Sequence, residues 1–306
     1  MDNLISVVRK LAFDEGFDDI GYINIESLEF NNNKLDEWLD NGFNASMQYM
    51  NRNVDIRKDP SKLIDGAKSV FIFLQNYYTD EHLTDNTYKI SKYAYGKDYH
   101  KVLRKKLKRI CKHIEENFKQ LTTRIFVDSA PIMEKVLAQK ANLGWIGKNS
   151  LLINKKLGSY FFICGIATNA ELKETTVTKE VRNYCGSCTK CIDACPTKAI
   201  TSPYVIDSNK CISFLTIENK ENIPEKFKGA YSNWIFGCDI CQQACPWNKK
   251  LKPHKEPDFK LSDKIKNMSA HDWENIDEED FNAIFEGSAI KRAKFEGLKR
   301  NIDYLR

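Results

Sequence analysis

The stretch Cys185-Gly-Ser-Cys188-Thr-Lys-Cys191-Ile-Asp-Ala-Cys195-Pro196 sets four cysteines in eleven residues and a proline directly after the last. Few structures need sulfur at that density: a disulfide framework, a zinc site or an iron-sulfur cluster. The chain has 10 cysteines, and all but Cys111 and Cys164 fall between 185 and 245. Its N-terminus, MDNLISVVRKLAFDEGFDDIG, contains acids and no long apolar run, so neither a signal peptide nor a membrane span is expected. The expected compartment is the cytoplasm, where reductants keep simple disulfides open.

The run C-x2-C-x2-C-x3-C-P is the bacterial ferredoxin pattern, in which three cysteines hold one [4Fe-4S] cluster and the fourth reaches the other. A second copy, Cys238-Asp-Ile-Cys241-Gln-Gln-Ala-Cys245-Pro246, lacks its leading cysteine, and Cys211 supplies it from a distance. By ferredoxin logic Cys185, Cys188, Cys191 and Cys245 hold one cluster, and Cys195, Cys211, Cys238 and Cys241 hold the other. The rival is a pair of four-cysteine zinc sites, although zinc ribbons pair separate C-x2-C knuckles. Cys111 and Cys164 stand in apolar surroundings and read as small buried hydrophobes.

Two clusters conduct electrons but do not select a substrate, so the remaining chain has to supply the chemistry. At 306 residues with 42% hydrophobic content, it is long enough for two or three units. Helix-like segments at 2 to 15, 33 to 41, 100 to 119 and 131 to 143 interleave with strand-like segments at 20 to 25, 69 to 74, 123 to 127 and 160 to 167. Pro131, Glu134 and Gly144 mark the start and stop of the 131 to 143 helix. Asp128 then lies where a buried strand gives way to a helix, a common active-site position. The polar segment 171 to 183 reads as a link into the cysteine domain. Helical pieces are expected at 278 to 286 and 288 to 302.

The formal net charge of +5 is unevenly spread. Residues 101 to 112, KVLRKKLKRICK, form an amphipathic helix with a cationic face, either solvated or meeting phosphates. No Gly-x-Gly-x-x-Gly turn, Walker loop or His-x-x-x-His pair occurs, so no dinucleotide, ATP or histidine-bound metal is indicated.

Longer blocks carry a resemblance. CIDACPTKAITSPYVIDSNKCISFLTIENK with IFGCDICQQACPWNKK, RNVDIRKDPSKLIDGAKSV, SKYAYGKDYHKVL, FVDSAPIMEKVLAQKANLGWIGKNSLLINKKLGSYFF and FEGSAIKRAKFEGLKRN resemble the epoxyqueuosine reductase family over nearly the full length. The resemblance implies an α+β protein: a nitroreductase-like cobalamin-binding domain at 1–170, a bacterial two-[4Fe-4S] ferredoxin-like domain at 171–250 and a helical tail at 251–306. It implies cobalamin and two [4Fe-4S] clusters as cofactors, and reduction of epoxyqueuosine to queuosine at the wobble position of tRNA. The runner-up is a corrinoid reductase acting on a small molecule, as dehalogenases do, but those usually carry an export signal.

By the same resemblance Asp128, in the family's V-D-(S/T)-x-P motif, donates the proton to the leaving oxygen, a task suited to a carboxyl of raised pKa. The rival role for Asp128 is capping the next helix. Arg57, Ala94 within Tyr93-Ala94-Tyr95, Lys148, Asn149, Ser150 and Ser213 border the corrin. His100 lies in D-Y-H-K-V-L, where Leu103 replaces the glycine of a cobalt-ligating signature, so it is not expected on the metal. Lys220, Lys249, Lys250, Lys252, Lys291, Arg292 and Lys294 are candidate phosphate partners. Many members add a C-terminal helical-repeat domain, and this sequence ends before it, so tRNA grip is expected from the ferredoxin face and tail. Cys164-Gly165 stands where the family usually has Gly-Glu, a change expected to alter the pocket wall. The enzyme is expected to act as a monomer, away from membranes, with electrons from a ferredoxin or flavodoxin.

Overall fold

The computed structural model describes residues 2–25, 33–172 and 182–306. Most of the segment read as an interdomain link, residues 173–181, lies outside them.

Four strands form one antiparallel sheet: β1 (Asp19–Asn24), β2 (Ser69–Asn76), β3 (Thr123–Phe126) and β4 (Phe161–Thr168), in spatial order β1-β2-β4-β3. Every residue of β2 is buried, so both of its faces need cover. Phe71 and Phe73 point into one core with Phe17, Leu103, Leu107 and Ile110. Val70, Ile72 and Leu74 point into another with Leu137, Ala138 and Leu143, the period-2 alternation a strand imposes. Helices α1 (Asp2–Asp14) and α2 (Tyr99–Asn117) cover the first face and α3 (Glu134–Lys140) the second.

The helix expected over 131 to 143 is shorter at both ends. Glu134 turns back to accept the Asp128 N–H at 2.7 Å, which keeps Pro131 in a loop ahead of the helix. Asn142, at φ +63°, stops it in place of Gly144. Gly144 serves another purpose, since a Cβ there would stand 2.3 Å from the Ile153 carbonyl oxygen. The tail helix expected at 288 to 302 is divided: a 3-10 segment at Ala289–Ala293 precedes a helix at Lys294–Leu305, with Lys294 at φ +60° between them.

The cysteine region folds around α4 (Ile212–Ile217), which follows Cys211, and the tail closes on it. A third core joins Leu83, Ile90 and Tyr95 to Ile235 and Phe236 and to Leu261, Trp273, Phe285 and Leu298. Arg300 and Asn301 of α5 (Lys294–Leu305) donate to the carbonyls of Leu215 (3.0 Å) and Thr216 (2.8 Å), so the tail helix anchors α4. No helix among the described residues is long and apolar enough to cross a membrane.

Candidate active site

The ten cysteines are all free thiols, and eight of them gather into two groups. Cys245 lies within electrostatic reach of Cys185 and Cys188, and Cys191 of Cys185 and Cys245. Cys241 interacts with Cys211, Cys238 and Cys195. These are the two quartets read from the ferredoxin spacing. Among the described residues no three His, Cys, Asp or Glu side chains come close enough to hold a single ion. The Ala199 N–H donates to the Cys195 sulfur at 3.2 Å, and the backbone N–H groups of Ser213 and Phe214 lie toward Cys211, that of Ile240 toward Cys238 and those of Trp247 and Asn248 toward Cys245. N–H···S bonds of this kind tune cluster potentials. Cys111 and Cys164 are buried apart from both groups, and burial pushes their thiols up, to about 11 for Cys111.

Asp128 follows β3 at φ +56°, a left-handed conformation that aspartate tolerates better than most residues. Its side chain is 62% exposed. Desolvation is nevertheless the largest influence on it, which places the carboxyl on the floor of a recess. It does not cap α3; its N–H is held by Glu134 instead. The sequence argued for a raised pKa, and the structure corrects this. Desolvation works to raise it, but the hydrogen bond and charge of His100, with the Tyr99 hydroxyl and Arg292, outweigh that and hold the carboxyl below its ordinary range. The His100 Nε2 lies 3.2 Å and the Tyr99 hydroxyl 3.0 Å from the same Asp128 oxygen, Oδ2.

His100 is locked from its other side. Asp98 is the N-cap of α2, and its carboxylate accepts both the His100 N–H at 3.0 Å and Nδ1 at 2.8 Å. Burial lowers the imidazole pKa, but the two carboxylates overcome it and push it up to about 9. Tyr99 stacks on Phe162 with centroids 4.2 Å apart, fixing its hydroxyl toward Asp128. Below them burial, then the Asp128 charge, raises Glu134 to about 8. At neutral pH the recess therefore holds an ionised Asp128 between a protonated His100 and a protonated Glu134. The sequence contains a signal for this, since Asp98-Tyr99-His100 opens a helix and so sets the histidine beside its N-capping carboxylate.

The Gly147–Ser150 turn meets this recess. Lys135, next to Glu134, donates its Nζ to the Ser150 carbonyl at 2.8 Å. Ser150 Oγ donates to the Tyr204 carbonyl at 2.8 Å, and Lys148 Nζ to the Gly186 carbonyl at 2.7 Å, so the turn joins the sheet domain to the cysteine region. Asn149 is 2% exposed, and its Nδ2 has no partner. The buried Arg57 Nε is also unpartnered, while its Nη2 donates to the Tyr49 carbonyl at 3.2 Å. Trp145 Nε1, Trp273 Nε1, the Tyr231 hydroxyl and His254 Nδ1 are unpartnered as well, but Asn149 and Arg57 are the two of these groups that fall where the resemblance places the corrin. That donor chemistry fits cobalamin, whose side chains are rich in amide carbonyls. Ala94 is fully buried, and Ser213 sits on α4 beside Cys211.

At the rim Arg292 pairs bidentately with Glu218, both bonds 2.9 Å, and both groups face Tyr49. Burial first, then Glu218, raises the Tyr49 hydroxyl to about 12. Lys220, Lys249, Lys250 and Lys252 are exposed. Lys291 is bound to Asn282, and Lys294 begins α5. Cys164 and Gly165 do not form a pocket wall: Cys164 lies in the core of the sheet, and the Phe126 ring covers Gly165.

A family model described as "Epoxyqueuosine reductase QueG, DUF1730" matches residues 57–129, and "4Fe-4S double cluster binding domain" matches 184–248. The chain is 49% identical over 299 residues to the epoxyqueuosine reductase of Leadbetterella byssophila, covering 98% of this chain and 97% of that one. It is 47% identical to that of Cellulophaga algicola, with the same coverage of 98% and 97%. A solved epoxyqueuosine reductase holding an epoxyqueuosine-modified tRNA-Tyr stem loop superposes with a TM-score of 0.89 at 26% identity, covering 99% of this chain and 80% of that one. The Bacillus subtilis enzyme, solved with a catalytic aspartate loop swung out of its active site, gives 0.88 at 25% identity, covering 99% and 81%.

Proposed function

The chain belongs to the epoxyqueuosine reductase family, and from that premise we infer that it reduces epoxyqueuosine to queuosine at the wobble position of tRNA, using cobalamin and two [4Fe-4S] clusters. The observation that carries the reading is the ionic group of Asp128, His100 and Glu134, which Lys135 beside Glu134 links to a turn that holds the unpartnered Asn149 Nδ2 and reaches the first cysteine quartet through Lys148 and Gly186. Cys185, Cys188, Cys191 and Cys245 hold one cluster, and Cys195, Cys211, Cys238 and Cys241 the other. Arg57 and Asn149 hold the corrin by their free donors, with Ala94, Lys148, Ser150 and Ser213 around it. Cobalamin held there would supply a strongly reducing cobalt centre, and the clusters would supply its electrons.

The chain's own task is the proton. Converting an epoxide to an alkene and water takes two electrons and two protons, and the oxygen leaves poorly unless protonated. Asp128 faces the substrate but is held ionised, so it passes on a proton rather than storing one. His100 Nε2–H, 3.2 Å away, is the store. It gives its proton to Asp128 Oδ2, the carboxylic acid so formed passes that proton to the departing oxygen and returns to carboxylate, and solvent recharges His100 for the second proton. Asp98 keeps the imidazole oriented, and Tyr99 fixes the Asp128 rotamer.

The substrate base lies in a loop, already unpaired, so presenting it to the recess costs little unstacking. Arg292 and Lys220, with Lys249, Lys250, Lys252, Lys291 and Lys294, carry the cations available for its backbone. A ferredoxin or flavodoxin supplies the electrons, and the enzyme works as a cytoplasmic monomer.

The test is direct. Cluster-loaded protein with cobalamin, a reductant and epoxyqueuosine-containing tRNA should yield nucleosides lighter by one oxygen, only when cobalamin is present. Asp128→Asn should retain cluster absorbance and thermal stability while losing roughly 100- to 10,000-fold in turnover. A fully active Asp128→Asn protein would remove the relay.

A further inference from the structure

Two quartets of cysteines differ in what surrounds them. Next to the first, Gly186, Ser187, Thr189 and Lys190 are exposed; next to the second, Ile212, Gly237, Asp239 and Gln242 are buried. Pro196 beside Cys195 is also exposed, but the first quartet has the more open surroundings, and because electron transfer falls off steeply with distance an external donor reaches it in preference to the second. The ground over that quartet is built from aromatic rings and cations. Trp145, Tyr184 and Trp247 pack on one another, with centroids 4.9 to 5.7 Å apart, and against Cys185 and Cys245. Lys155 Nζ stands 4.5 Å from the Tyr184 ring centre and the Arg182 guanidinium 5.6 Å from it. Lys148 lies on Gly186, and Lys190 is exposed beside Cys191. Against these cations stand Asp193, bound to the Thr189 hydroxyl at 2.7 Å, and Asp19, bound to Asn154 at 3.2 Å.

We propose that this face is the docking site of a small acidic one-electron carrier protein. The inference rests on the redox reading above and adds where the electrons arrive. A positive rim over low-dielectric rings attracts a negative partner and raises its association rate. An RNA seated here would cover the quartet with the more open surroundings, which favours a protein carrier. Each docking oxidises the carrier by one electron and reduces the protein's cluster by one. Two dockings and two protons account for one epoxide reduced to alkene and water.

The experiment mixes cluster-loaded protein with a reduced flavodoxin of net negative charge in stopped flow, following cluster bleaching as salt is varied. Lys155→Glu with Arg182→Glu should slow reduction about tenfold at low salt, the difference closing as salt rises. Reduction by photoreduced deazaflavin, tRNA stem-loop affinity and turnover with that chemical reductant should not change. An unaltered flavodoxin rate overturns the proposal, and so does a loss of stem-loop affinity, which would make the face an RNA surface. Should the double reversal fail to load clusters, Lys155→Gln with Arg182→Gln has to show an intermediate rate. Failure of the parent protein to reduce epoxyqueuosine with deazaflavin would overturn the functional reading and leave the docking result standing.

Discussion

His100 decides the charge of Asp128 although 28 residues separate them. Held between Asp98 and Asp128, its pKa of about 9 lies above the ordinary 6.5, so folding favours its charged form. The stability it contributes is complete below pH 6.5 and is lost as pH rises through about 9. In single turnover with pre-reduced enzyme, the parent protein should lose activity along an alkaline limb near that value. His100→Gln should move this limb to lower pH and flatten the alkaline fall in Tm. An unchanged limb would assign the proton to another group, Glu134 first among them. Asp128 itself was legible in the sequence, because its motif and strand-end position are local. Its ionisation was not, since that depends on a side chain brought over by α2.

The strands were readable to within a residue or two because buried β2 and β4 are apolar runs with alternating sides. Helix ends were harder, as α3 illustrates: the hydrogen bond that the Asp128 N–H donates to the Glu134 carboxyl displaced its start, and no propensity encodes that. The same limit applies to the pair Cys164-Gly165. In the sequence it suggested an altered pocket, whereas register puts Gly165 opposite Ile72 in β2, and the Phe126 ring lies against it from β3. A Cβ at 165 would stand 2.1 Å from Phe126 Cζ and 2.6 Å from the Phe71 carbonyl oxygen, with backbone unable to yield. Gly165→Ala should therefore destabilise by about 1–3 kcal/mol through overpacking. Thermal unfolding should register it as a lowered Tm with cluster content retained, and an unchanged Tm would mean the sheet can open there.

At the level of the whole molecule, the two cysteine quartets were legible because their spacing is written in one segment, and the shared core was not. Leu83, Tyr88, Ile90 and Tyr95 meet Ile235, Phe236 and the tail across more than 130 residues of chain, a pairing that no local pattern encodes. The basic helix α2 shows the same limit. Lys101, Lys105 and Lys108 form its exposed cationic face, but Lys106 turns inward, 8% exposed, to pair with Glu256 of the tail, 12% exposed. Gln75 of β2 accepts from Lys106 at 2.8 Å and donates to Asp18 at 3.0 Å, while Asn76 donates to the Lys252 carbonyl at 3.0 Å. One buried polar network thus binds α2 and the central strand to the chain that leaves the second cluster motif. Removing one charge of a buried pair leaves the other uncompensated, a loss of about 3–5 kcal/mol, whereas apolar replacement of both is often close to neutral. Lys106→Met should accordingly lower Tm sharply, and Lys106→Met with Glu256→Leu should recover most of the loss. Because Lys106 lies away from Asp128 and both quartets, turnover per folded molecule should hold in both variants. If the double variant is no more stable than the single, the coupling lies in Gln75 and Asp18 rather than in the ion pair, and Gln75→Leu should then reproduce the loss.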